Sequence, residues 1–186
     1  MLLTKAELAL PDAIEVSGKW YKIKTDYRLW IRYFEILKTK PESFSAFDYL
    51  YIDEPPTDKG AGFEQLSAFA CPVHKYPRIT DDDKKGEIID YEGDADYIYA
   101  AFLQQYGIDL IDVKKLHWHK FSALLRGLKD TKLNDIINIR LYENDTGKET
   151  DYSKKMYKLR DAWAIENDTD TDDDPVLTNF LSRLKQ

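Results

Sequence analysis

The 186-residue chain has one cysteine, 8 glycines and 7 prolines. It also lacks any apolar stretch near the ~20 residues that a membrane-spanning helix needs. A single cysteine excludes an intramolecular disulfide framework and is typical of a protein kept in a reducing compartment. The low glycine and proline contents exclude collagen-like and low-complexity classes. Lys5 and Glu7 interrupt the stretch that could form a signal-peptide core, so we expect no export by that route.

Charge is distributed unevenly along the chain. The net charge is -7 and the pI is near 5.1, so we expect neither nucleic acid nor an anionic membrane as a partner. Residues 19–40 and 114–140 are basic, whereas residues 81–96 are acidic. Residues 166–174, ENDTDTDDD, contain six acids and no base. Because like charges repel and this run has nothing to bury, it predicts a flexible linker.

Hydrophobic periodicity predicts a mainly α protein, a compact helical domain of about five to seven helices with a small N-terminal β-hairpin. The hairpin turns at Ser17-Gly18 and should dock through Ile14, Val16, Trp20 or Ile23. The first predicted helix follows a cap at Thr25. Further helices are predicted over 44–51, 63–70 and 94–106, and from about 112 to 127. Another follows a cap at Asp130 or Thr131, and the next covers 151–165. The predicted core is Trp30, Ile31, Phe34, Phe102, Leu103, Leu116, Phe121, Leu124, Leu125, Leu133, Ile136 and Ile137.

The organisation along the chain follows from these patterns. Residues 1–165 are expected to form the helical domain, 166–174 the acidic linker and 175–186 a terminal amphipathic helix that starts at Pro175. Residues 73–92 have weak periodicity and predict a long exposed loop. We expect the terminal helix either to shield an apolar surface of the protein or to bind a helical partner. Its apolar stripe, the candidate partner-binding site, is Val176, Leu177, Phe180, Leu181 and Leu184.

Candidate chemistry is sparse. Cys71, His74, His117 and His119 could in principle bind zinc. The two later histidines, however, lie two positions apart on a predicted helix and should point in different directions. Asp168, Asp170 and Asp172 resemble the start of a calcium loop that then lacks the required glycine and glutamate. No catalytic pair stands out, so the chain is expected to be no enzyme and to need no metal or cofactor.

Aromatic residues are abundant, with 13 Tyr, 8 Phe and 4 Trp. One interpretation is a core completed by half-exposed tyrosines. The other is a protein interface, because aromatic side chains anchor contacts with little loss of entropy. The composition leaves both interpretations open.

Residues 90–142 resemble a bacteriophage protein family, the phage gene product fifteen family of tailed phages and prophages of Gram-positive bacteria. The resemblance is closest over 94–110, DADYIYAAFLQQYGIDL, and over 116–128, LHWHKFSALLRGL, which DTKL follows at 130–133. The front of the chain is also similar, with a short hairpin and then TDYRLWIRYFEIL at 25–37. His119 departs from the family's pattern, which commonly has an aromatic residue there.

Members of this family are similar in gene setting and helical character to the tail assembly chaperones of long-tailed phages. The resemblance implies a non-enzymatic assembly factor in the host bacterial cytoplasm. It would bind the tape measure protein, keep its helices soluble and help to recruit tail tube subunits. A structural virion protein or a head–tail connector component is the alternative. The family offers no catalytic residues that could be transferred to this chain.

Overall fold

The computed structural model describes residues 10–39, 43–70, 88–144 and 148–165. These parts of the chain are mainly helical and begin with a two-stranded antiparallel hairpin, which confirms the predicted fold class. The strands are β1 (Ala13–Val16) and β2 (Lys19–Lys22). The helices are α1 (Tyr27–Lys38), a 3-10 helix (Phe44–Leu50), α2 (Lys59–Ala70), α3 (Ala95–Tyr106), α4 (Trp118–Arg126), α5 (Lys132–Arg140) and α6 (Asp151–Ala162).

The hairpin turns where the sequence predicts it. Ser17 and Gly18 have φ values of 51° and 79°, the pair of left-handed residues that a tight two-residue turn requires. Ile14, Val16 and Ile23 are buried, as predicted. Trp20 is 66% exposed, so its predicted role in docking the hairpin is wrong. It lies opposite Glu15 on the other face of the hairpin, because neighbouring residues of a strand point to opposite sides.

The chain forms two compact units. Unit 1 comprises the described residues of 1–77 together with 114–124, and unit 2 comprises those of 78–113 together with 125–186. The hairpin, α1, the 3-10 helix and α2 therefore belong to unit 1, and α3, α5 and α6 belong to unit 2. Each unit has its own buried apolar residues.

Unit 1 is built around an aromatic core. Trp30 is completely buried, with its ring centroid 4.6 Å from that of Phe69 and 6.4 Å from that of Trp118. Tyr27 stacks on Phe121 at 4.6 Å. The polar atoms of these rings are also satisfied: Trp30 Nε1 donates to the carbonyl of Lys24 at 3.0 Å. Much of the aromatic excess of the sequence is therefore core.

Unit 2 packs α3 and α6 against α5. Phe102 of α3 and Ile136 of α5 are completely buried. Thr131 and Thr150 begin α5 and α6 with reciprocal capping boxes. Gly107 ends α3 in the left-handed conformation with a φ of 62°, as the sequence predicts.

Several predicted boundaries differ from the structure. Asp26 caps α1 through its side chain, whereas Thr25 is buried and its carbonyl accepts a hydrogen bond from Trp118 N at 2.7 Å. Tyr27 N donates to the carbonyl of Leu116 at 2.9 Å. These hydrogen bonds flank the bridge between Asp26 and His117 and keep the residues before Trp118 out of the helix, so α4 begins at Trp118 and the predicted start near 112 is wrong. Likewise α2 begins at Lys59, before the predicted residue 63.

The predicted core is largely confirmed and needs one clear correction. Leu103 is 44% exposed, because its neighbour Phe102 occupies the buried side of α3. Four other members are half-buried instead of buried: Ile31, Phe34, Leu124 and Ile137. The remaining seven are buried: Trp30, Phe102, Leu116, Phe121, Leu125, Leu133 and Ile136.

Candidate partner-binding surfaces

The predicted partner-binding stripe, Val176, Leu177, Phe180, Leu181 and Leu184, lies outside the described residues, as does the acidic linker at 166–174. Cys71 and His74 of the possible zinc set and most of the predicted loop 73–92 also lie outside them. The described residues include the pair His117 and His119, two sets of hydrogen bonds that we call anchors, and the exposed apolar side chains.

His117 and His119 lie closer together than the sequence predicts, with ring centroids 5.2 Å apart. The expectation that they point in different directions is wrong because His117 precedes α4 instead of lying within it. Three of their four ring nitrogens nevertheless lie at hydrogen-bond distance from main-chain atoms. Nε2 of His117 lies 2.9 Å from the carbonyl of Pro11, its Nδ1 accepts from His119 N at 3.1 Å, and Nε2 of His119 lies 2.7 Å from the carbonyl of Phe69.

This arrangement suits a neutral His117. The hydrogen bonds require Nε2 to donate and Nδ1 to accept, which is one neutral tautomer. Partial burial lowers the pKa of His117 below its usual value, and the nearby His119, Lys115 and Lys120 act in the same direction. Among the described residues, no three potential His, Cys, Asp or Glu ligands lie together in a way that could hold a metal ion. The hydrogen bonds of the pair join Pro11 and the end of α2 to the start of α4.

The first anchor holds the end of α2. Trp118 Nε1 donates to the carbonyl of Ala70 at 2.8 Å, next to the contact of His119 with Phe69. These two bonds satisfy carbonyl groups that the last turn of a helix otherwise leaves without a partner. Residues of α4 thus hold the C-terminal end of α2.

The second anchor is a buried ion pair in unit 2. The guanidinium of Arg140 donates to both carboxylate oxygens of Asp94, at 2.6 and 2.9 Å. It also donates to the carbonyls of Ile88 at 3.0 Å and Trp163 at 2.7 Å. Arg140 therefore ties the main chain at Ile88 and at Trp163 to the N-terminal end of α3.

Among the described residues of unit 1, three large apolar side chains are exposed: Phe44 begins the 3-10 helix, whereas Trp20 and Ile52 lie on the outer side of the hairpin. Ile52 is 54% exposed, and its N–H donates to the carbonyl of Lys22 at 3.0 Å. Since Ile23 bridges Tyr51, Ile52 lies beside Lys22 on the same side as Trp20. Trp20 and Ile52 form the hairpin surface, flanked by Lys22 and Glu15.

Among the described residues of unit 2, four large apolar side chains are exposed: Leu103 on α3, Ile111 on the turn that follows it, Tyr152 on α6, and Ile88. Leu103 is exposed on the outer side of α3, together with Ala100 and Gln104. Ile111 is 75% exposed, the highest value among the large apolar side chains of the described chain. We call the exposed side of α3 together with Ile111 the α3 surface. Its residues are Ala95, Asp96, Ala100, Leu103, Gln104, Gly107 and Ile111.

The turn that presents Ile111 is held firmly. The Asp109 carboxylate accepts hydrogen bonds from the N–H groups of Ile111 at 2.8 Å and Asp112 at 3.2 Å. Its other oxygen accepts from the Tyr99 hydroxyl at 3.2 Å, which joins the turn to α3. Partial burial and the carboxylates of Asp109 and Asp112 raise the pKa of Tyr99. Ile111 is thus exposed on an ordered turn, a geometry that suits recognition.

Sequence reasoning missed the α3 surface for an identifiable reason. Leu103 follows Phe102 directly and lies about 100° from it around the helix, and the structure buries Ala101 and Phe102 while it leaves Leu103 exposed. Ile111 lies in the short connection 107–113, GIDLIDV, in which Leu110 is buried and its neighbour Ile111 is exposed. The signal that could have found the surface is the lack of charge on α3, whose only charged residue is Asp96.

The comparisons with known proteins give one family. A family model described as "Bacteriophage Gp15 protein" matches residues 7–165. Neither the curated proteins nor the solved structures contain a significant match to the chain. Within the described ranges, no helix has both the length and the apolar character needed to span a membrane. Because the family model covers most of the 186 residues, the chain belongs to the bacteriophage Gp15 protein family.

Proposed function

We propose that this protein is a non-enzymatic tail assembly factor that binds the phage tape measure protein in the host bacterial cytoplasm. The family match over residues 7–165 is the observation on which the proposal rests, because it makes the chain a bacteriophage protein. The resemblance of this family to tail assembly chaperones supplies the finer role. No catalytic group and no cofactor are part of the proposal.

The architecture suits such a role. A tape measure protein offers long helices with apolar stripes, which require a partner with exposed apolar side chains on a stable body. The hairpin surface and the α3 surface both present such side chains on elements held by hydrogen bonds. Binding to tail tube subunits would use a further surface of the same protein.

Co-expression tests the proposal. The tape measure protein encoded by the same phage is expressed with and without the full chain, and its soluble fraction is measured. We expect the chain to keep it soluble and to copurify with it. Phe180→Asp, in the predicted stripe, should weaken copurification, whereas Ser182→Asp, off the stripe and with the same charge change, should not. Failure of the unaltered chain to bind the tape measure protein would refute the proposal.

The alternative function, a structural virion or head–tail connector component, is equally compatible with family membership. Mass spectrometry of purified phage particles separates the two. An assembly factor should be absent from the finished particle or far below the copy number of the tail proteins. A fixed stoichiometric amount would favour the structural alternative.

A further inference from the structure

The outer face of the hairpin carries apolar side chains where the solvent-facing side of an antiparallel sheet is normally polar. From residue 20 to residue 25, exposed positions alternate with half-buried or buried ones, so Trp20, Lys22 and Lys24 share the outer face. Trp20 is 66% exposed, and Ile52, which lies beside Lys22, is 54% exposed. Large apolar side chains exposed on an ordered element are typical of a surface that binds another protein.

Three cations extend the hairpin surface towards α1. Lys22 lies beside Ile52, and Nζ of Lys24 donates to the carbonyl of Tyr49 at 2.8 Å. The guanidinium carbon of Arg32 lies 4.8 Å from the centre of the Tyr49 ring. These contacts link the cations to the hairpin surface in one connected patch, and we call Lys22, Lys24 and Arg32 its basic rim.

The basic rim can bind carboxylates of a partner. Within the described ranges none of its three side chains forms an ion pair, because Lys24 contacts a main-chain carbonyl and Arg32 the face of a ring. Lys59 of the same unit, by contrast, contacts the Asp48 carboxylate at 2.8 Å. A guanidinium that lies against an aromatic ring keeps its N–H groups in the fork geometry that binds a carboxylate.

The charges around this patch favour a protein partner over nucleic acid. The whole chain has a net charge of -7, and Glu15, Asp53 and Glu54 are exposed next to Trp20 and Ile52. A nucleic acid backbone, which has a negative charge at every phosphate, would meet these carboxylates as well as the cations. A protein segment can place apolar residues against Trp20 and Ile52 and carboxylates against the basic rim alone.

We propose that the hairpin surface and its basic rim bind an amphipathic helix of another protein, whose apolar stripe is flanked by glutamate or aspartate. α2 already packs against β1, and a helix on the outer face completes a layered arrangement of helix, sheet and helix. Trp20 supplies most of the affinity, because large aromatic side chains dominate protein contacts. The basic rim orients the helix and speeds its association. The inference does not rest on the tail assembly role.

Titration of the full-length, ¹⁵N-labelled chain with a synthetic peptide tests the proposal. The peptide has about 20 residues, enough to form a helix, with leucine at helical spacing and glutamate on both sides of the leucine stripe. We expect a Kd below about 100 μM. The indole N–H signal of Trp20 and the amide signals of residues 20–24 and 49–52 should shift. Absence of binding, or shifts confined to other residues, would overturn the proposal.

A pair of aromatic variants shows whether Trp20 is the anchor. Trp20→Ala should weaken binding of the peptide at least about tenfold. Tyr152→Ala on α6 is the matched control, because it removes an aromatic side chain that is also 66% exposed, and it should leave the Kd unchanged. Equal Kd values for the two variants would refute the assigned anchor.

Charge reversal tests the basic rim in the same way. Lys22→Glu combined with Lys24→Glu should weaken binding at least about fivefold. Lys155→Glu combined with Lys158→Glu makes the same charge change at exposed positions of α6 and should change the Kd less than about twofold at physiological salt. Similar losses for both double variants would show that only the net charge matters, which contradicts a local rim.

Two further probes and one measurement distinguish other occupants. The same peptide with glutamine in place of glutamate should bind at least about fivefold more weakly, and equal binding would refute selection for an acidic partner. A short single-stranded DNA should bind more weakly than the glutamate peptide, and tighter binding would refute a protein partner. Self-association of the chain that Trp20→Ala abolishes would show a second copy on this surface, which contradicts the proposal.

Discussion

Arg140 and Asp94 are 46 residues apart in the chain, and their side chains meet in a two-pronged ion pair at 2.6 and 2.9 Å. The Asp94 side chain is 2% exposed and that of Arg140 is 12% exposed. The pair joins the start of α3 to the last turn of α5. Because Arg140 also donates to two main-chain carbonyls, its loss would affect four hydrogen bonds at once.

Removing one partner of this pair should be costly. Asp94→Asn leaves a buried guanidinium without its countercharge, so we expect the free energy of unfolding to fall by about 3–5 kcal/mol. Urea denaturation followed by circular dichroism measures the change. Lys154→Ala, which breaks the exposed pair with Glu149, is the control and should cost less than about 1 kcal/mol. Similar losses for both variants would contradict the assigned importance of Asp94.

Replacing large side chains by alanine should distinguish buried from exposed positions of α3 by the free energy of unfolding that is lost. Phe102→Ala should lower the free energy of unfolding by about 3–5 kcal/mol, as should Phe121→Ala in unit 1, because both rings are completely buried. Leu103→Ala, next to Phe102 but 44% exposed, should cost far less. Denaturant titrations of the three variants provide the comparison. A loss below about 1 kcal/mol at both phenylalanines would show that these faces are not core.

The two glycines of α2 should respond oppositely to alanine. A Cβ at Gly62 would lie 2.7 Å from Pro56 Cγ and 2.8 Å from Tyr51 Oη, so Gly62→Ala should destabilise by about 1–3 kcal/mol. At Gly60 the nearest atom would be 3.6 Å away, and alanine should stabilise the helix by up to about 1 kcal/mol. Thermal melts of the two variants should therefore shift in opposite directions. A shared direction would refute this packing.

Stability should depend on pH through His117. Partial burial lowers its pKa in the folded protein, so the unfolded chain binds a proton more readily. The contribution is fully present above the unfolded pKa of about 6.5 and is lost as the pH falls through the lower folded pKa. His117→Asn should reduce the loss of unfolding free energy between about pH 7.5 and pH 5. Parallel pH profiles of the variant and the unaltered chain would contradict this.

Metal removal should have no effect on stability. Both ring nitrogens of His117 and Nε2 of His119 already have hydrogen-bond partners, which a metal would have to displace. We expect the same Tm before and after extended dialysis against a chelator. A drop of several degrees that zinc reverses would reinstate the set of Cys71, His74, His117 and His119.

The sequence was sufficient where local chemistry decides the structure. The Ser17-Gly18 turn, the Gly107 C-cap and the Thr131 cap each follow from the residue at that position. Prediction from the sequence failed where contacts between distant parts of the chain override the local preference of a segment. Residues 116–118 pair with 25–27 across the fold, which prevented the early start predicted for α4. The α3 surface was missed because burial of Phe102, and with it exposure of Leu103, depends on which side of α3 faces α5.

The stacked tryptophans of unit 1 also supply an optical reporter. Trp30 and Trp118 are buried with centroids 6.4 Å apart, close enough for their electronic transitions to couple. Trp20 is exposed to quenchers, and Trp163 lies in unit 2 beside Tyr97. Intrinsic fluorescence and near-ultraviolet circular dichroism therefore distinguish the packing of the unit 1 core from the environment of Trp163 without any attached dye.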